Sequence, residues 1–507
     1  MSQPPRMLTL HPRDNIAVAL ADISAGEVDT RSGVKVLQSV KQGHKIAIAK
    51  IDAGQNVLRY GQTIGQATTT IAAGEHVHVQ NLGMGEHARD YAHASETKPL
   101  PWLTHARTFN GYHRADGNVG TRNYLGILTT VNCSGSVAKF IAEAAEKSGL
   151  LDAFPNIDGI VPITHGTGCG MSGENEGYDT LLRTLSGYAQ HPNFGGILLI
   201  GLGCEVMQVS ALVGGRQIRP DGALRYMTIQ HEGGTRKTIE KGLTQLRGMA
   251  ELANSVTRQP APVSHLTVGM QCGGSDGYSG ITANPALGVA SDILVRHGGT
   301  TILSETSEIY GAEHLLTRRA TSIEVGEKLI ERVRWWEDYT ARNKGEMDNN
   351  PSPGNKRGGL TTILEKSLGA VAKSGSAPLT DVYKFGEKID QKGFVFMDSP
   401  GFDPCSVTGQ IASGANLIVF TTGRGSVSGY MPTPCIKVAT NSEMYARMSD
   451  DMDINCGDIV SEGVSLNDKG HDIFEMFISI ASGQQTKSEE LGFGGVEFVP
   501  WQIGAVM

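Results

Sequence analysis

Apolar and polar residues alternate with a period of two in four short runs near the start of the chain: NIAVALADI (Asn15–Ile23), HKIAIAKI (His44–Ile51), NVLRYGQTIG (Asn56–Gly65) and EHVHVQNL (Glu75–Leu82). That period sends successive side chains to opposite faces of a strand. Gly, Asp and Ser turns separate the runs and no amphipathic helix is evident, so residues 1–90 are predicted to form a small all-β domain. Residues 91–110 are polar, carry prolines and lack a period, which predicts a linker.

After about Gly111 the pattern changes. Continuous apolar runs (YLGILTTV, IDGIVPIT, GGILLIGLG, LTVGMQ, TTILSE, GFVFMD, NLIVFTT, IKVAT) alternate with helical stretches such as SVAKFIAEAAEKSGLL, VGEKLIERVRWWEDYTARN and DIFEMFISIASG. Short apolar strands between helices predict a mostly parallel sheet covered on both faces, and an α/β fold class for the chain as a whole. Arg258–Ser264 (RQPAPVS) is the expected joint between two such blocks, 111–257 and 258–507.

Composition narrows the function. The net charge, 44 − 52 = −8 over 507 residues, is mild and lacks the concentrated basic face that nucleic acid requires. No apolar run reaches the roughly 18–20 residues of a membrane span, and the first residues lack the apolar core of a signal peptide. A cytosolic protein with no membrane partner is expected. The 7 cysteines are then thiols, and no CxxC pair suggests a structural zinc site. Gly, at 65 residues, is well above the usual share of about 7%, which points to many tight turns and close backbone approaches.

Reactive side chains recur just past the apolar runs. Asn132 and Cys133 follow the first, Thr164, His165 and Cys169 the second, Cys204 and Glu205 the third. Later runs lead into Cys272, Ser275 and Asp276, into Glu305 and Glu308, into Asp398 and Asp403, and into Thr422 and Arg424. Ligands of open α/β sheets bind at the carboxyl ends of strands, so this is the pattern of an active-site rim. Cys133, Cys169, Cys204 and Cys272 lie on that rim, and they are candidates for metal or cluster ligation or for buried thiols. Cys405, Cys435 and Cys456 read as packing residues. In the β domain, His76 and His78 are two apart on one strand face, opposite Val77 and Val79, a spacing that suits a shared metal, an anion or a plain surface. His44 and Lys45 are chemically able to exchange protons, and Arg59 adds a cationic donor. Asn355, Lys356 and Arg357 precede a helical stretch, which favours a carboxylate. Neither a Walker loop nor a dinucleotide fingerprint is present, so an oxidoreductase is disfavoured.

Taken together these motifs resemble a known family. HPRDNIAVAL, GHK, RYGQTIG and GEHVHVQN are similar to the SAF-type β-clip domain that opens altronate dehydratases. RADGNVGTRN, HGTGCG, GLGCE, CGGSDGYSGITANPALG, NPSPGNKRGG and TGRGS resemble the body of the altronate/galactarate dehydratase family. EHVHVQN and GAEHLL look more like the altronate enzymes, whereas the ending FVPWQIGAVM matches neither group. The resemblance implies a β-clip domain, a middle α/β domain and a Rossmann-like C-terminal domain without a dinucleotide. It implies a hydro-lyase for hexonate or hexarate sugar acids, activated by Fe2+ or another divalent ion, and a homodimer. A sister branch releases sulfite from sulfolactate, and a non-catalytic sugar-acid-binding protein is a further alternative.

Dehydrating a 2,3-dihydroxy acid removes a proton beside a carboxylate and expels the 3-hydroxyl. The enediolate so formed needs preorganised positive charge, most simply a metal, and the hydroxyl needs a proton donor. On this reading His44 and Lys45 transfer protons, with the β-clip closing over the rim. Arg59, Ser275, Asn355, Lys356 and Arg424 bind substrate. His165, Cys169, Cys204, Cys272, Asp276 and Glu305 hold the metal, with His76 and His78 as the alternative. Carboxylate and imidazole suit Fe2+ or Mn2+, and thiolates suit an iron–sulfur cluster. These side chains are expected to gather in one pocket.

Overall fold

The computed structural model describes residues 6–85, 90–214, 223–504 and 506. Its opening segment is all β. Strands β1 (Met7–Leu8), β2 (Ile16–Ala19), β3 (Lys45–Ala47) and β6 (His76–Val77) form one antiparallel sheet in the order β1-β2-β3-β6. Strands β4 (Asn56–Arg59), β5 (Gln62–Ala67) and β7 (Leu82–Gly83) form a second, in the order β4-β5-β7. Tyr60 and Gly61, both at positive φ, make the two-residue turn between β4 and β5 that suits the twist of a hairpin. A Cβ at Gly61 would meet the His11 ring at 2.7 Å.

All four residues of β2 are buried, although their alternation predicts one wet face. The reason is docking. Ala17 and Ala19 face the segment's own core, whereas Val18 packs with Tyr278 and Ile281 of the C-terminal region. The expected strand through His78 also stops early. Asn81 accepts from the His78 N–H and donates to the His76 carbonyl, which diverts the backbone from the ladder. Val77 is buried but Val79 is 51% exposed.

The segment expected as a linker has no regular element from Asp90 to Arg107, but it is pinned at Ala94, Glu96 and Thr97 to carbonyls of 317–320. It runs into β8 (Thr108–His113), which pairs antiparallel with β9 (Val119–Gly120). The middle sheet follows: β10 (Tyr124–Thr129), β11 (Gly159–Ile163), β12 (Phe194–Gly201) and β13 (Leu224–Thr228), all parallel in the order β11-β10-β12-β13. Helices α1 (Gly135–Lys147) and α3 (Thr235–Asn254) cover one face, and α2 (Glu176–Gln190) covers the other. The proposed joint is itself structured. Gln259–Pro262 form β14 and pair back onto β8, with both prolines on an edge strand, where a missing N–H costs no ladder bond.

The largest sheet has seven parallel strands: β15 (Thr267–Cys272), β16 (Thr300–Leu303), β17 (Leu379–Tyr383), β18 (Gly393–Met397), β19 (Leu417–Thr422), β20 (Cys435–Ala439) and β21 (Ile454–Asn455). Their order is β17-β18-β16-β15-β19-β20-β21. The chain builds outward from β15 on one side, then crosses to β19 on the other, so the winding reverses between those two strands. Such a reversal opens a crevice at the carboxyl ends of the strands. Helices α4 (Ala283–Arg296) and α9 (Leu466–Ala481) share one core with this sheet. On its other face α8 (Asp403–Ala412) meets α2, so one core joins the two parallel sheets. The contact is close because Gly187 lies against Ala412, whose carbonyl oxygen would be 2.0 Å from a Cβ. Two further helices, α5 (Ile323–Arg342) and α7 (Ile363–Val371), flank the short α6 (Pro353–Arg357) in the chain. Among the described residues, no helix is long and apolar enough to cross a membrane.

Candidate active site

Two adjacent strands of the large sheet end beside one buried cluster. Cys272 closes β15, Glu305 lies just past β16, and Glu308 closes the short turn that follows. Their ligand atoms lie within 4.8 Å of one another. Lys373 Nζ is 3.0 Å from Cys272 Sγ, and Lys366 of α7 donates to Glu308 at 2.6 Å. Asn350 also donates to Glu308, at 2.8 Å, and accepts from Lys366. Asp403 opens α8 close by, its Oδ2 2.2 Å from where a Cβ on Gly273 would stand, so a side chain there would displace it. Asp403 is the half-buried member, whereas Cys272, Glu305 and Glu308 are buried.

Burial raises the Glu305 carboxyl well above the usual range, and neighbouring Glu308 adds to the effect. Burial and Glu308 likewise push Asp403 up to about 7, and burial takes the Cys272 thiol up to about 11. Burial alone would lower both lysines, but Glu308 holds Lys366 up, and Cys272 and Glu305 hold Lys373 up, so both are ammonium ions. Glu305 is the anomaly. Its backbone is left-handed, at φ 70°, and neither carboxylate oxygen has a hydrogen-bond partner. Lys373 Nζ, at 3.9 Å, is too far to donate. A buried polar group left unpaired costs roughly 1–3 kcal/mol, and more when charged.

A second buried group joins the β segment to the large sheet. Glu365 of α7 accepts from Lys45 Nζ at 2.9 Å and Arg59 Nη1 at 2.5 Å. Lys45 also donates to the Gly359 carbonyl at 2.6 Å, and Arg59 to that of Gly277 at 2.6 Å. The two cations overcome burial and hold the Glu365 carboxyl down to about 2. Glycine makes the approach possible. A Cβ on Gly277 would be 2.0 Å from the Gly43 carbonyl oxygen, and one on Gly359, at φ +101°, 2.4 Å from it.

Beside this seam three imidazoles converge, with ring centroids 5.0–5.4 Å apart: His44, His76 and His78. Their ligand atoms also lie within 4.8 Å of one another. His44 Nδ1 is 3.0 Å from His76 Nε2, and His44 Nε2 is 3.2 Å from the Arg357 carbonyl. Burial lowers all three, His76 to about 4 and His78 to about 3.

The expected site residues therefore divide. Cys272 and Glu305 meet as expected of metal ligands, and His76 meets His78. Asp276 does not join them: its carboxylate is saturated by Thr440, Asn441, Ser279 and the Tyr278 N–H. His165 belongs to the middle sheet, where Thr129 and Thr167 backbone groups occupy both ring nitrogens. Cys169 and Cys204, with Cys133, are exposed thiols beyond the middle sheet, not neighbours of Cys272. Lys45 and Arg59 are enclosed at the seam by Glu365 and carbonyls, which removes Lys45 from proton transfer and Arg59 from substrate binding. Asn355 caps α6 and donates to the Ser275 carbonyl at 2.8 Å. Lys356 is half-buried and Arg424 exposed, its N–H bonded to the Gly274 carbonyl. The single pocket expected of His165, Cys272, Glu305 and Arg424 thus loses His165. Sequence reasoning missed Lys366, Lys373 and Glu365. The available signal was three charges on a helical stretch that is otherwise apolar, and every residue of α7 is buried.

Comparison with known proteins follows this geometry. Three sequence profiles match in order along the chain. They are the altronate/galactarate dehydratase SAF domain over residues 5–85, the second domain of D-galactarate dehydratase/altronate hydrolase over 111–254, and the C-terminal domain of D-galactarate/altronate dehydratase over 263–506. The galactarate dehydratase (L-threo-forming) of Escherichia coli is 38% identical over 499 residues, 96% of this chain and 94% of that protein. The altronate dehydratase of Bacillus subtilis is 35% identical over 490 residues, 96% and 97% of the two chains. The (2R)-sulfolactate sulfo-lyase subunit beta of Chromohalobacter salexigens is 32% identical over 389 residues, 76% of this chain and 95% of that subunit.

Proposed function

The chain belongs to the altronate/galactarate dehydratase family and is a sugar-acid hydro-lyase, and from that premise we propose that it dehydrates altronate or galactarate at the cluster of Cys272, Glu305, Glu308, Lys366, Lys373 and Asp403. The reaction breaks the C2–H and C3–O bonds, releases water, and leaves an enol that ketonises to a 2-keto-3-deoxy acid.

The observation that carries the assignment is Glu305, a buried carboxylate without a hydrogen-bond partner on strained backbone. Three carboxyl groups (Glu305, Glu308, Asp403) here face two ammonium groups (Lys366, Lys373), a set that fits one more cation. Glu305, Glu308 and the Cys272 sulfur would hold it. A divalent ion bound there supplies Lewis acidity beside the substrate carboxylate, and the mixed oxygen and sulfur donors suit Fe2+, with Mn2+ as the alternative. An iron–sulfur cluster on all four rim cysteines is not supported, because Cys133, Cys169 and Cys204 belong to the other parallel sheet.

Asp403 takes the C2 proton: it is the half-buried member at the edge of the cluster, and its carboxyl changes charge near neutral pH, where a general base works best. Lys366 and Lys373 place fixed positive charge beside the developing enediolate. Lys373 is the donor for the departing hydroxyl. Arg424, on the loop past β19, and Lys356, on α6, take the substrate carboxylates. The units are read as 1–90, 91–110, 111–257 and 258–507, the last Rossmann-like, in a cytoplasmic homodimer.

The test is a keto-acid assay with altronate and galactarate, with added Fe2+ and after chelation. Product from one of them, lost on chelation and in Glu305→Gln, is expected. Near-normal turnover by Glu305→Gln overturns the assignment.

A further inference from the structure

We propose that His44, His76 and His78 form a second metal site, distinct from the carboxylate–lysine cluster, that takes a divalent transition metal and clamps the β-clip to the α6–α7 segment. The two sites share no residue. The β ladder builds this one: β3 and β6 pair with Ile46 opposite His76, so His44, just before β3, comes level with His78, two residues past His76. The result is three imidazoles around one point, with donor atoms within 4.8 Å of one another.

The tautomers fit an ion. His44 Nε2 faces the Arg357 carbonyl at 3.2 Å, an acceptor only, so Nε2 carries the hydrogen and Nδ1 is left with its lone pair. That lone pair points into the cluster, where it meets His76 Nε2 at 3.0 Å. An imidazole that ligates through one nitrogen and donates to a carbonyl through the other is the usual arrangement of a metal-bound histidine. His78 Nδ1 is buried with no partner, so the cluster has a nitrogen unused within the protein. Burial lowers all three rings, which favours the neutral imidazoles that ligate.

The donor set selects the occupant. Three neutral nitrogens without a carboxylate favour zinc, iron, cobalt or nickel over magnesium or calcium, which prefer oxygen. Three protein ligands also leave a coordination position open. The Arg357 carbonyl ties the site to α6, so an ion that orders His44 strengthens the β-clip's attachment across the seam.

Cobalt(II) is the probe, because its visible spectrum distinguishes nitrogen from thiolate ligation. Full-length protein freed of metal with chelator is titrated with Co2+ and followed by absorbance and calorimetry. Nitrogen-type bands without sulfur charge transfer are expected for this site, retained in Glu305→Gln and Cys272→Ser. His76→Ala and His78→Gln are each expected to weaken that binding by at least about tenfold, on the scale of a lost metal contact. Their melting without metal should match wild type, which separates ligand loss from misfolding. Unchanged Co2+ affinity and bands in a His76→Ala/His78→Gln double variant would overturn the proposal, as would wild type whose Co2+ signal vanishes in Cys272→Ser. Because the titration does not depend on turnover, loss of the dehydratase assignment would leave this result standing, and the reverse holds too.

Discussion

At the ends of β15 and β16 the fold meets buried acids with buried bases: Lys366 on Glu308, Lys373 on Cys272. At His44, His76 and His78 it does the reverse, packing three basic rings together with no carboxylate bonded to any of them among the described residues, so that burial lowers all three. The contrast shows two ways of keeping ionisable groups under cover. Paired charges keep their field and suit work on an anionic intermediate, whereas neutral rings keep their lone pairs and suit ligation.

The largest effect is expected from removing the unpaired acid. Glu305→Gln is expected to lower kcat by about 10²–10⁴-fold, the range of an essential acid–base or electrostatic group, measured by keto-acid release. Its Tm should hold, because the amide replaces a buried carboxyl group that makes no hydrogen bond. Loss of both activity and Tm would instead assign Glu305 a structural role.

Next in size is the seam. Glu365→Ala leaves Lys45 and Arg59 buried without their acid, and is expected to cost about 3–5 kcal/mol in urea unfolding. A change below about 1 kcal/mol would mean that water reaches the seam.

Two carboxyl groups should then give opposite pH dependences. Glu365 is held down to about 2, below the roughly 4.3 of an unfolded Glu, so its stabilisation is complete above about 4.3 and lost as pH falls towards 2. Asp403 is raised to about 7, above the roughly 3.9 of an unfolded Asp. The fold therefore holds the Asp403 proton more tightly, and stability declines as pH rises from about 4 through 7. Melting curves across pH should lose the acid-side slope in Glu365→Gln and the neutral-side slope in Asp403→Asn. Identical slopes in both variants would refute the assignment of the two environments.

The smallest effect is expected at the middle sheet. Cys133→Ser, Cys169→Ser and Cys204→Ser should each change stability by less than about 0.5 kcal/mol, and these thiols should alkylate in the native protein while Cys272, Cys405, Cys435 and Cys456 resist. Protection of the first three, read by mass spectrometry, would show that they are covered or ligated.

What was legible in the chain follows from burial. β10, β12, β16, β18, β19 and β20 are buried along their full lengths, and their continuous apolar runs are plain in the sequence. β13, β14, β17 and β21 were not read, and all four are edge strands, with one neighbouring strand in the sheet and little need of an apolar run. The site was legible in the same measure. Cys272 and Glu305 could be found because strand ends mark the crevice. Asp276 and His165 carry the same signal but are saturated by local groups together with Thr440, Asn441 and Thr129, which only the fold brings in. Lys366 and Lys373 hid in a helix, where a charged residue ordinarily means a solvent face.

Glu365 and Lys366 are consecutive on α7, one anchoring the opening β module and the other balancing Glu308. About a hundred degrees of helical turn separates them, and a helix this short moves as one rigid piece. Prying the β module loose therefore cannot leave the buried acids beside β15 and β16 untouched. Whatever twists the helix enough to release one side chain drags the other off its carboxylate, so docking and that charge balance behave as a single mechanical variable.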